Sequence, residues 1–321
     1  MSDDGDQGDH GGEGTGGALV SPSGRQVELR AGEARATVVE VGAGLRTLSV
    51  GGRDVLDGYA LDEVCPSARG CHLVPWPNRI RQGMYAWDGA TQRLPVNEHA
   101  YGNASHGLTR WQAWQLDSSQ DDRAEWTLRQ HPVPGYPFTL DLRVRYELAL
   151  DGITVTVEAT NTGAAAAPFA YGAHPYLMAS PGQPVDGDAL TAPAATWLPL
   201  DATMVPVGRA AVAGTAYELD GTAIGAREVN TTYTDLVRDD DGLARAVLAA
   251  GDGGRTVTVW QDEALPYRLV YTADAVEAAK VRRSVAVEPM SAPPNAFSSG
   301  EDVVRLEPGE TWRGRWGITV G

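Results

Sequence analysis

The stretch "LDLRVRYELALDGITVTVEATNTG", residues 140–163, alternates apolar and polar side chains on both sides of a turn signal. A repeat of two is that of a strand with one buried face. A helix, whose faces recur every 3.6 residues, cannot satisfy it. Asp151-Gly152 is a strong two-residue turn signal, so the stretch predicts an antiparallel hairpin. The same alternation, cut by glycine pairs, runs through "RQVELRAGEARATVVEVGAGLRTLSVGGRDVL" from residue 25. "GDGGRTVTVWQDEALPYRLVYTAD" repeats the hairpin theme, as does "VVRLEPGETWRGRWGITV" with Pro308-Gly309 at its turn.

Helical signal is thin. "YTADAVEAAKVRRS" predicts at most one short helix, and no β–α alternation suggests a parallel sheet with crossover helices. With 38 glycines and 20 prolines marking turns at short intervals, the fold class is all-β, a large antiparallel β-sandwich over residues 25–321 as one domain. A chain of 321 residues buries about 75% of its unfolded surface and needs neither disulfide nor metal to hold a core. Residues 1–24 are rich in glycine and acid and are expected to be disordered, because they carry too little apolar surface to offset ordering entropy. They lack the positive start and apolar core of a secretory signal, and no run of eighteen apolar residues follows. A cytoplasmic protein with no membrane association is expected. Cys65 and Cys71 could close as a small disulfide, and the plainer reading is two free thiols.

A formal charge of −16, with Lys280 the only lysine, argues against a nucleic-acid partner. The Gly-x-Gly of "VGAGLRTLSVGG" lacks its third glycine and a following helix, so it is not a dinucleotide site. There is no His-Glu-x-x-His, no Gly-x-Ser-x-Gly elbow and no phosphate-binding P-loop.

Four clusters carry chemistry: "LVPWPNRIRQGMYAWDG" with Asn78 and Arg79, "YGNASHGLTR" with His106, "YGAHPYL" with His174, and "SVAVEPMSAPPNAF" with Glu288. Residues two apart in a strand share a face. His174 therefore shares its face with Ala170 and Gly172, and Glu288 shares its face with Ala286. Small neighbours beside a polar group leave a hollow for a ligand. Each of the two is followed by a proline, which predicts that both sit at strand ends, near a rim.

The ordered set "PWPNRI", Gly-x-Tyr, "HG", "HPY", "TDL" and "VEPMSAPPNAF" resembles the aldose 1-epimerase (mutarotase) family over nearly all of residues 25–321. That family of isomerases interconverts the α and β anomers of free sugars. The resemblance implies a large twisted antiparallel β-sandwich, the galactose mutarotase-like supersandwich, and a small-molecule sugar as substrate, with no metal or organic cofactor. It implies His174 as general acid and Glu288 as general base, with Asn78, Arg79, His106 and Asp235 as sugar-binding residues. Trp76 and Tyr176, near these motifs, are candidates to stack on the sugar. At their ordinary pKa values Glu288 is ionised at neutral pH, and a nearby carboxylate favours the His174 imidazolium. Leu108, Pro175 and Leu177 depart from residues common in the family and bear on which sugar is preferred. Two other readings stay open on the residues: a non-catalytic sugar-binding module, and a lyase or hydrolase on a similar sandwich.

Overall fold

The computed structural model describes residues 20–321. It is built from antiparallel strands. A nine-stranded sheet carries Leu140–Ala149, Gly152–Asn161, Thr311–Val320, Thr256–Gln261 and Ala244–Ala249 side by side in its middle. An eight-stranded sheet runs through Ala194–Leu198, Asn230–Leu236, Tyr267–Tyr271, Val285–Met290, Gly172–Ala173 and His72–Leu73. The predicted N-terminal meander is a four-stranded sheet from Gln26–Ala31 to Arg53–Asp54. One continuous core joins the two large sheets: Val144, Tyr146, Val155, Val259 and Trp316 of the first pack with Val270, Val285 and Val287 of the second. The all-β antiparallel sandwich read from the sequence is the observed fold. No helix among the described residues is long and apolar enough to cross a membrane.

The hairpin at residues 140–161 forms, with Leu140, Leu142, Val144, Tyr146 and Leu148 buried in strict alternation. Its turn lies one residue earlier than predicted. Ala149 pairs with Gly152, so Leu150 and Asp151 make the loop. Gly152 is required by close approach, since a Cβ there would lie 1.9 Å from the carbonyl oxygen of Ile318 in the adjacent strand.

The other two expected hairpins are not hairpins. Thr256–Gln261 belongs to the nine-stranded sheet and Tyr267–Tyr271 to the eight-stranded one, so their connection crosses the core. Pro308-Gly309 does make a turn, with Glu310 N–H donating to the Glu307 carbonyl at 2.9 Å. Yet Val304–Leu306 leaves it to pair with Ala167–Phe169 instead of Thr311–Val320. Alternation sets which face is buried but carries no information on which sheet buries it.

The expected helix reduces to a three-residue 3₁₀ turn at Ala278–Lys280, and the single α-helix among the described residues is Ala296–Ser299. The expected tail falls mostly outside the described residues. Residues 1–19 lie outside the described residues, but Ser23 is buried and its carbonyl accepts from Val41 N–H at 3.0 Å. Packing therefore begins before residue 25.

A buried histidine ties the two sheets together. His72 Nδ1 lies 2.7 Å from the Tyr171 hydroxyl and Nε2 lies 2.6 Å from that of Tyr146. The Tyr146 hydroxyl donates its proton to the Ala43 carbonyl, so His72 must carry its proton on Nε2. Nδ1 then accepts from Tyr171, whose oxygen accepts in turn from Trp316 Nε1–H at 2.8 Å. Every polar group in this chain is satisfied by a neutral imidazole, and burial pushes the His72 pKa down to about 3.

Candidate active site

The eight-stranded sheet floors a cavity of about 310 Å³, at the small end of the roughly 300–1,000 Å³ usual for ligand sites. Five of the six residues expected at the site line it: Asn78, Arg79, His106, His174 and Glu288. They come from parts of the chain more than two hundred residues apart.

Glu288 projects from Val285–Met290, and the expected alternation holds. Val285 and Val287 enter the main core, whereas Ala286 joins a separate cluster with Tyr176 and Ala273 on the other face. The prolines act differently from expectation. Pro289 does not end the strand, which runs on to Met290 with Pro289 opposite Arg268. The Gly172–Ala173 strand does stop before His174, whose N–H donates to the Cys71 carbonyl at 3.1 Å and whose carbonyl accepts from Gly70 N–H at 2.9 Å. Neither side chain is at a rim. His174 is 5% exposed and Glu288 is 1% exposed, so the pair forms the floor of the cavity.

His174 Nε2 lies 3.2 Å from Glu288 Oε1. Burial pushes the His174 pKa down to about 3, aided by the Arg69 charge. Burial raises Glu288 well above the ordinary carboxylate range, against the downward pull of Arg79. Burial thus works against the expected ionised glutamate facing an imidazolium, because desolvation penalises both charged forms. Glu288 Oε2 and His174 Nδ1 are left without protein hydrogen-bond partners.

The His174 ring is held from two sides. Tyr176 stacks on it at 4.9 Å between centroids and 16° between planes, and His106 meets it edge-on at 5.4 Å and 70°. The Arg69 guanidinium lies 4.0 Å from the Tyr176 ring centre and pairs with Asp57 at 2.9 Å. Tyr176, expected to stack on a sugar, stacks on the histidine instead. Trp76, the other candidate, packs on Phe297 in the core and does not line the cavity.

Asn78 and His106 both have left-handed backbones, with φ of 52° and 64°, and His106 N–H donates to the Asn78 carbonyl at 2.8 Å. Two sparsely populated conformations held by one hydrogen bond mark a shaped loop pair. Burial, together with the charges of His174, Arg110 and Arg79, keeps the His106 pKa well below the ordinary histidine value. Arg79 is forked onto Glu98, with Nε and Nη2 donating at 2.8 and 2.7 Å.

Asp235 stands apart from the other five. It sits near the end of Asn230–Leu236, its side chain 55% exposed and 4.0 Å from Arg209, and it does not line the cavity. Asn230, at the start of the same strand, does. The motif "TDL" drew attention to the right strand and the wrong end of it. Glu98, Tyr101, Arg110 and Tyr271 also line the cavity, and none carried a pattern that sequence spacing could read. Cys65 and Cys71 are unbonded thiols 3.6 Å apart, beside the turn whose Ser67 and Ala68 form part of the wall.

A twisted antiparallel sandwich that buries a histidine–glutamate pair beneath a polar, sugar-sized hollow defines a mutarotase-like class of protein. Residues 25–319 match the family model described as aldose 1-epimerase. The chain belongs to the aldose 1-epimerase family. It is 34% identical over 293 residues to the Escherichia coli K12 protein YihR, covering 91% of this chain and 92% of that one. Among solved structures, the fold is similar to a GalM/aldose epimerase homologue from C. elegans (TM-score 0.82, 16% identity, 92% and 98% of the two chains). It is also similar to galactose 1-epimerase from Lactobacillus acidophilus NCFM (TM-score 0.77, 19% identity, 92% and 94%).

Proposed function

We propose that the protein is an aldose 1-epimerase that interconverts the α and β anomers of a free aldose. The observation that carries this reading is the His174–Glu288 contact at 3.2 Å on the floor of the cavity. A buried titratable pair with free lone pairs costs stability unless a ligand uses it.

Ring opening needs one proton taken from the anomeric hydroxyl and one given to the ring oxygen. Once the hydroxyls of the bound sugar favour the charged forms that burial disfavours in the empty site, Glu288 as carboxylate takes the first, and His174 as imidazolium gives the second. The open-chain aldehyde then faces protonated Glu288 and neutral His174, in each case the form that burial favours. Rotation about the C1–C2 bond presents the other face of the aldehyde, and the two transfers reverse. The pair is neutral overall in both states, so no net charge is created or lost in the buried site. Each positioned transfer contributes about 10²- to 10⁴-fold. Asn78, Arg79 and His106 supply donors and acceptors for the sugar hydroxyls, and Asn230 takes the place expected of Asp235. Of the aromatic residues, Tyr101 and Tyr271 line the cavity without stacking on His174, and one of them packs against the sugar's apolar face.

A hydrolase would place two free carboxylates across the scissile bond. Of the two lining the cavity, Glu98 is committed to Arg79, which favours the epimerase. A purely sugar-binding module has no use for the buried acid–base pair. Mutarotation of freshly dissolved single anomers, followed by polarimetry, tests the reading. Glu288→Gln is expected to lower kcat by about 10²-fold or more while circular dichroism shows the fold intact. A folded Glu288→Gln protein with a near-native rate overturns it.

A further inference from the structure

Beside the cavity the chain doubles back between its two cysteines. Pro66–Ala68 makes a tight turn, closed by Arg69 N–H donating to the Pro66 carbonyl at 3.0 Å. Cys71 N–H then donates to the Ala68 carbonyl at 3.0 Å, so two overlapping turns bring residue 71 alongside residue 65. The sulfur atoms lie 3.6 Å apart. A disulfide needs about 2.05 Å, so the two must approach by about 1.5 Å to bond.

The two thiols are not equivalent. Cys65 is half-buried next to the exposed Val64, whereas Cys71 is buried. Cys65 Sγ lies closer to the Arg69 carbonyl, at 3.4 Å against 4.0 Å for Cys71, and donates its proton there. Cys71 is left to donate to Cys65 Sγ. That hydrogen bond lowers the Cys65 pKa, helped by Tyr59 and by the charges of Arg110 and Arg69, against the effect of burial. The same contact, together with burial, raises the Cys71 pKa well above the ordinary thiol value. A partly exposed sulfur that ionises readily, beside a buried one that does not, is the arrangement of an attacking and a resolving cysteine.

We propose that Cys65 and Cys71 are a site of reversible oxidation by peroxides, and that the disulfide formed there disturbs the wall of the cavity. The Cys65 thiolate attacks one oxygen of hydrogen peroxide and the O–O bond breaks. The proton that Cys65 gave up goes to the departing hydroxide, which leaves as water. The sulfenic acid on Cys65 then faces Cys71 directly. Cys71 attacks that sulfur, its proton joins the departing hydroxyl, and a second water leaves as the S–S bond forms. The two thiols supply the two electrons that reduce the peroxide.

The coupling to the cavity runs through the backbone, and it rests on the epimerase reading. Ser67 and Ala68, inside the loop, line the cavity in left-handed conformations with φ of 49° and 56°. The Ser67 carbonyl accepts from the Tyr176 hydroxyl at 3.4 Å, and the Cys71 carbonyl accepts from His174 N–H at 3.1 Å. A loop held in two sparsely populated conformations has little slack. Drawing its ends together therefore moves Ser67 and Ala68, the His174 backbone, or both.

The full chain is treated with hydrogen peroxide and followed by thiol titration and intact mass. Both thiols should disappear and the mass should fall by two hydrogens with no oxygen added. Dithiothreitol should reverse the change. In Cys71→Ser, dimedone should label the sulfenic acid on Cys65. Cys65→Ser should consume peroxide at least about tenfold more slowly than Cys71→Ser. Two intact thiols, added oxygen or cross-linked chains in place of the internal bond, or equal rates in the two variants, overturn the site. Polarimetry on single anomers reads the coupling. Oxidation should lower kcat/KM by about tenfold or more, since a misplacement near 1 Å costs up to about 10²-fold. Dithiothreitol should restore the rate, and Cys65→Ser should show no such loss. An internal disulfide that leaves the rate unmoved overturns the coupling. If the reduced protein turns over no anomer, the epimerase reading fails, while thiol titration and mass still decide the site.

Discussion

At His174 and Glu288, burial is the largest influence on the chemistry. Each side chain has an ordinary pKa suited to neutral pH in water, and each is pushed away from it by the loss of that water, the histidine to about 3 and the glutamate well above the carboxylate range. Both shifts disfavour the charged forms of the pair. The rate profile of kcat/KM should accordingly be displaced from the ordinary values of both groups. Its acid limb should lie below the ordinary histidine value of about 6.5, and its alkaline limb above the ordinary carboxylate value of about 4.3. An acid limb centred at 6.5 would mean that His174 is solvated in the working enzyme. The residue types of this pair were legible in the sequence, because small neighbours on the same face flagged them. Their protonation was not, because it depends on how much protein closes over them.

At the scale of elements, the loops shape the cavity more than the strands do. Gly107, directly after His106, has φ of 68°, and a Cβ there would lie 2.1 Å from the Val74 carbonyl oxygen. Gly107→Ala should cost about 1–3 kcal/mol from the backbone conformation alone, plus the clash, and should displace His106 from the edge of the His174 ring. A urea-unfolding midpoint equal to that of the native protein would contradict this. The strand readings at this scale divide sharply. The pairing of Leu140–Ala149 with Gly152–Asn161 was legible because the two strands are adjacent in sequence and their alternation matches. The partners of Thr256–Gln261 and Val304–Leu306 were not, because a turn signal fixes where the chain reverses and says nothing of whether the emerging strand stays in the same sheet. Asp235 shows the same limit inside one strand, where five residues separate an exposed end from Asn230 in the cavity.

Over the whole molecule, buried histidines set how stability responds to acid. His72, His106 and His174 all have folded pKa values below the ordinary one. A lowered histidine contributes stability that is complete above its unfolded pKa of about 6.5 and is lost as pH falls toward the folded value. In the His174–Glu288 pair the two shifts oppose each other, since the lowered histidine binds fewer protons folded than unfolded and the raised glutamate binds more. His72 and His106 remain, each worth up to about 1.4 kcal/mol per pH unit. Urea titrations at pH 7, 6 and 5 should show stability falling with acid. In His72→Gln the slope should shrink by about one proton, although that variant is less stable throughout from losing its two tyrosine contacts. An unchanged slope would mean that His72 is not buried neutral.

The sequence by itself determined the all-β class, the antiparallel sandwich and the residue types that meet in the cavity, because alternation and the prolines and glycines of turns act over a few neighbours and are written into them. Only the tertiary structure decided which strands share a sheet, that His174 and Glu288 lie 3.2 Å apart on a buried floor, and that burial disfavours the charged form of each. Those outcomes depend on burial and on contacts between residues more than one hundred positions apart, and no local pattern encodes either.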